Sequence, residues 1–169
     1  MQQLCLFNDE YRPPKRPRKH PKEYKVIALR DCPTPDDLRL CDSPQRAVDY
    51  WRLHISSQPW FDPERECLVV LLLNARRRVK GHQLVSIGTL DNLLVHCREV
   101  YRTAIVAAAH GILLMHNHPS GDTQPSDADI RCTRELSRAG QLLKIAVVDH
   151  IIVARGCHTS LRELGIVTT

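Results

Sequence analysis

The stretch LLMHNHPSGDTQPSDADI, residues 113–130, decides how this chain is read. An apolar run ends in two histidines one residue apart, His116 and His118. A Pro-Ser-Gly-Asp turn follows, then Pro125-Ser126, then Asp127 and Asp129 at the head of a helical pattern. In an extended strand, residues i and i+2 share a face, so His116 and His118 project to one side. Ser126 starts the helix, Asp129 lies in its first turn, and the loop is long enough to return that carboxylate to the histidines. Two imidazoles and one carboxylate leave the fourth position of a tetrahedral zinc open to water, the pattern of a catalytic rather than a structural site. Ser126-x-x-Asp129 is also a capping box in its own right, and Asp122 suits a turn with no further duty. On these residues alone, a metal site and a well-capped helix both stand.

Around the motif the chain alternates between two periods. SPQRAVDYWRLHIS (43–56) reads as a helix, with Ser43 as N-cap, Pro44 in the first turn, and Ala47, Val48, Trp51 and Ile55 at helical spacing. ERECLVVLLLN (64–74) reads as a strand buried on both faces, and VKGHQLVSIG (79–88) as its hairpin partner across a basic turn. HCREVYRTAIVAAAHG (96–111) reads as a helix closed by Gly111 at the C-cap. ILLMH is a strand, Ser126 to Leu143 a helix, IAVVDHIIVA (145–154) a strand, and SLRELG (160–165) a short final helix. The order α-β-β-α-β-α-β predicts an α/β fold, a mixed sheet with helices on both faces. Aliphatic residues are plentiful and aromatics only 5% of the chain, which suits such a core.

A metal hydrolase needs a general base to take a proton from water. Glu66, at the start of the apolar strand, is the first candidate; Glu64 and Glu99 are others. A glutamate at a strand start is as readily a solvated residue.

The 169 residues suit one domain with a tail. The net charge of +5 is unevenly spread: residues 11–22, YRPPKRPRKHPK, hold six Lys and Arg and no acid. Residues 1–42 therefore read as a basic, proline-rich, disordered arm, and 43–169 as the folded domain. Such an arm suits DNA, and equally suits a solvated tail. KVIAL (25–29) reads as a short strand or docked segment. The seven cysteines never form a C-x-x-C pair, which points to reduced thiols rather than disulfides or a zinc finger. MQQLCLFNDE lacks the features of a signal peptide, and no run approaches the roughly 20 apolar residues of a membrane span. A soluble, cytoplasmic protein with no membrane partner is expected; the oligomeric state is open.

HNHPSGDTQPSDADI resembles the signature of the RadC-like branch of the JAB/MPN (JAMM) metalloprotease superfamily: H-x-H, seven residues, Ser, two residues, Asp. His116, His118, Ser126 and Asp129 match it without a gap. VSIGTL, HCREVYRTAI, AAAHGILLMHNHPSG and VVDHIIVARG also follow the RadC-like order, over about residues 43–165. The resemblance implies a three-layer, cytidine-deaminase-like α/β/α sandwich. It also implies one zinc per chain on His116, His118 and Asp129, with Glu66 acting on the activated water and Ser126 stabilising the oxyanion. The implied activity is cleavage of amide bonds, in a peptide or isopeptide substrate. Two departures stand out. His96-Cys97-Arg98-Glu99 replaces the family's H-P-R-E, and residues 1–42 are too short and proline-rich for the helix-hairpin-helix module of full-length RadC proteins. A cytidine deaminase would need H-x-E and P-C-x-x-C, and both are absent. The letters His116-Asn117-His118 do not make an HNH nuclease, whose residues lie far apart in sequence. The competing function is a DNA-repair or recombination accessory protein that grips phosphates through residues 11–22, with the metal site idle or nucleolytic.

Overall fold

The computed structural model describes residues 28–88 and 95–167. The basic run 11–22 and most of the KVIAL segment lie outside them. Helix α1 (Pro44–His54) begins where Ser43 Oγ accepts the Arg46 N–H at 3.4 Å and Pro44 occupies a position that needs no donor. Strands β1 (Cys67–Leu73) and β2 (Val79–Ile87) form an antiparallel hairpin. Its turn is held by Asn74 Oδ1, which accepts from Arg76 N and Arg78 N at 2.9 and 3.0 Å. Helix α2 (Cys97–Val106), strand β3 (Gly111–Asn117), helix α3 (Asp127–Leu143), and strands β4 (Ala146–Val153) and β5 (His158–Ser160) complete the order.

The five strands form one sheet in the order β2-β1-β3-β4-β5. Only β3 and β4 pair in parallel, through the α3 crossover; the other neighbours are antiparallel. Every residue of β1 and β3 is buried, because helices cover both faces. Val69, Leu71, Leu73, Leu113, Met115 and Ile151 pack with Ala47, Val48 and Trp51 of α1. Val70, Leu72, Ile112, Leu114 and Ile152 pack with α2 and α3. The architecture is a three-layer α/β/α sandwich. Truncating fully buried Leu71 to alanine costs about 2–5 kcal/mol.

The structure corrects the sequence reading at Gly111 and over residues 158–165. Gly111 is not a helix cap. Helix α2 ends at Val106, Ala108 turns through a positive φ of 46°, and Gly111 is the first residue of β3. A Cβ at Gly111 would lie 3.0 Å from Val148 Cγ2 and 3.1 Å from the Ala146 carbonyl, so the parallel strand crowds it. Residues 158–160 form an unforeseen fifth strand. SLRELG is no helix: Ser160 closes β5 and the rest is a run of turns. Ahead of α1, Val79 N donates to Arg39 O and Cys41 N to Arg77 O, at 2.7 and 3.0 Å, so residues 39–41 lie along the hairpin.

Candidate metal centre

Strand β3 runs into the site with alternating faces. Ile112 and Leu114 point toward α2 and α3, and His116 continues that row, fully buried. His118 follows one residue beyond the strand. Helix α3 brings Asp129 back because Ser126 caps it: Ser126 Oγ accepts from Asp129 N at 3.1 Å, and Asp129 Oδ2 accepts from Ser126 N at 2.8 Å. Both halves of the capping box are therefore made, and Asp129 turns its carboxylate onto the histidines as well.

His116 Nε2 lies 2.9 Å from His118 Nε2 and 3.2 Å from Asp129 Oδ1; His118 Nε2 lies 3.7 Å from Asp129 Oδ2. Ligand atoms about 2.0–2.1 Å from a tetrahedral zinc stand about 3.3 Å apart. The observed separations straddle that value. His116, His118 and Asp129 are also the one group of three potential metal ligands among the described residues.

The hydrogen bonds behind these residues set their tautomers. Thr133 Oγ1 donates to the Asp129 main-chain carbonyl at 2.6 Å, so at 2.6 Å it must accept from His150 Nδ1. His150 Nε2 is then bare and accepts from His116 Nδ1 at 2.8 Å. His118 Nδ1 donates to the Asp122 carbonyl at 2.7 Å. With their Nδ1 atoms protonated, both rings turn Nε2 toward one another and toward the carboxylate. Neutral rings place lone pairs there, and a shared cation, a proton or a metal ion, satisfies them. Burial pushes His150 well below the ordinary histidine range, which keeps it neutral and able to accept. For Asp129, burial works to raise the pKa. The hydrogen bonds from the Ser126 hydroxyl and N–H favour the charged form against that cost.

Glu66 lies just before β1. Continuing the antiparallel register from Leu68↔His116 sets it across from His118. It lines one cavity of about 530 Å³ together with Glu64, His118, Asp122, Ser126 and Asp129. Glu99 does not: it sits on α2, where Arg102 Nη2 pairs with it at 2.7 Å. Sequence reasoning assigned no role to His150, Thr133 or Asn117. The available signal was a histidine and an aspartate inside the otherwise apolar strand AVVDHIIV.

A family model for the RadC-like JAB domain matches residues 41–166. The chain belongs to the RadC-like JAB domain family. Among relatives of the RadC-like domain, a UPF0758 protein of Chlorobaculum parvum is 47% identical over 102 residues, 60% of this chain and 46% of that protein. One of Symbiobacterium thermophilum is 50% identical over 99 residues, 59% and 42% respectively. One of Trichodesmium erythraeum is 38% identical over 130 residues, 77% and 51%. The chain thus spans about half the length of the curated relatives it matches.

Proposed function

We propose that this RadC-like domain is a zinc-dependent hydrolase that cleaves an amide bond, in a peptide or an isopeptide. The observation that carries the reading is the convergence of the His116 and His118 Nε2 atoms on the Asp129 carboxylate beside a half-open cavity. His116, His118 and Asp129 hold the metal; nitrogen donors with a carboxylate and an open position suit zinc. When bound, the ion acts as a Lewis acid on the water and on the scissile carbonyl. Glu66, on the opposite wall of the cavity, takes the proton from the attacking water and passes it to the leaving amine. Ser126 donates to the developing oxyanion once its proton turns from Asp129 Oδ2, where it now rests at 2.6 Å. His150 and Thr133 keep His116 in the ligating tautomer.

The test is elemental analysis followed by a panel of fluorogenic peptides and isopeptides. The wild-type protein should carry about one zinc per chain. Glu66→Gln should keep the zinc and lose turnover by about 100-fold or more. Zinc occupancy should fall as acid protonates the imidazoles. Full occupancy in strong acid, or unchanged turnover in Glu66→Gln, would overturn the reading.

The charge run at 11–22 favours a second reading, DNA binding through the arm. Its affinity should fall steeply with salt, and deletion of residues 1–22 should abolish it. Binding that survives the deletion would end it.

A further inference from the structure

Asn117 lies between the two histidines yet faces the other way. Leu113 and Met115 point toward α1, and Asn117 continues their row, opposite to His116. It is buried, 6% exposed, and has no part in the metal centre. Both ends of its side-chain amide are used. Oδ1 accepts from Cys67 N at 2.9 Å, and Nδ2 donates to the Arg65 carbonyl at 3.0 Å. These two main-chain groups flank Glu66.

We infer that Asn117 is a positioning residue for Glu66, setting its carboxylate against the metal centre by gripping the backbone on either side of it. The inference rests on the zinc-hydrolase reading. The backbone ladder between β1 and β3 ends at Leu68↔His116. Past that point the side-chain amide of Asn117 stands in for a peptide group, with one acceptor and one donor in a plane. From the other side, Gly88 N at the end of β2 donates to the Glu66 carbonyl at 2.9 Å. Glu66 is therefore held by its backbone from both neighbouring strands. The strand parity that sends Cys67 toward α1 sends Glu66 toward His118. A proton-transfer group must be held to within a fraction of an ångström, and loop residues before a strand lack that rigidity unless something clamps them. Asn117 does so from the residue between the two ligands, which couples the base to the metal centre through one rigid strand.

The experiment uses the full chain with ¹³C-labelled glutamate and Zn²⁺ as the probe. The Glu66 carboxyl resonance is assigned by its loss in Glu66→Gln. At saturating zinc the cation's charge should shift that resonance in the wild type, and in Asn117→Ala the shift should shrink to under about half. Zinc affinity should change by less than the roughly 10-fold that losing a ligand-orienting partner costs. If Asn117→Ala does not fold, Asn117→Thr serves, since it suits a strand and reaches at most one of the two backbone groups. An equal shift in wild type and variant, or a zinc affinity that collapses in the variant, would overturn the role of Asn117 and leave the proposed hydrolase standing. A wild-type resonance that zinc does not move would overturn the hydrolase reading itself.

Discussion

Two histidine clusters lie against opposite faces of the same sheet, and they are built to different ends. On the α1 face, His54 and His82 stack with ring centroids 6.2 Å apart, and Tyr50 packs against both. On the α3 face, His116 sits between His118 and His150, with centroids 4.8 Å from each. The distinction lies in the partners. His54 Nε2 meets Thr34 Oγ1 at 2.8 Å and His82 Nδ1 meets Tyr50 OH at 2.9 Å. Thr34 Oγ1 donates to the Cys32 carbonyl at 2.8 Å and so accepts from His54 Nε2, while the Tyr50 hydroxyl serves His82 in either tautomer; no acid joins these rings in a group of three ligand atoms among the described residues. On the α3 face the His150 ring and the Asp122 carbonyl take the protons of the outer nitrogens of His116 and His118, and the inner nitrogens face the Asp129 carboxylate. Histidines in a core are common; ring nitrogens converging on an acid are what mark a site.

That contrast is open to test, beginning with its largest effect. His116→Ala/His118→Ala should abolish zinc binding, whereas His54→Ala/His82→Ala should leave about one zinc per chain, both read by elemental analysis. Zinc retained in the first pair, or lost in the second, would erase the distinction. His150→Phe removes the acceptor that fixes His116 and should weaken zinc affinity about 10–100-fold in a chelator competition. An unchanged affinity would show that the tautomer chain is idle. Ser126→Ala removes the cap of α3 and should cost about 1 kcal/mol in chemical denaturation without zinc, with a further loss of zinc affinity because Asp129 is no longer held.

The last test belongs to the α1 face. Burial first, then His54 and Arg30, lower His82 from 6.5 to about 4. Between those values the unfolded chain binds a proton that the folded one refuses, so stability falls as pH drops through that window and levels off below it. His82→Gln should flatten that part of the pH–stability curve. An unaltered slope would place the titrating group elsewhere.

Much of this was legible because it is local. Ser43-Pro44 opens α1, the Ser126–Asp129 capping box opens α3, and His116-x-His118 at a strand end puts both rings on one side. The illegible parts depend on partners distant in sequence. Gly111 looked like a helix end because Ala-Ala-Ala-His-Gly suits one, but its need for no side chain comes from Val148 and Ala146 on the adjoining strand. Strand β5 has three residues and no period to detect; it exists because Ile151 to Val153 offer an edge. His150 meets His116 across 34 residues, and Asn117 meets Cys67 across 50. No local pattern carries such pairings.

The proposed ligands all come from one strand, its loop and one helix, within the span from His116 to Asp129. The proposed base, Glu66, lies just before a different strand, far ahead of them in sequence. Closing so short a loop carries little entropic cost. The loop between the proposed ligands can therefore open without unfolding β1. A chelator should loosen the 118–129 segment first, seen as faster amide exchange there while β1 stays protected. Fraying at the start of β1, in contrast, would silence the base while the ion stays bound. On the proposed reading either route would end activity, and Asn117 ties the two together through β3.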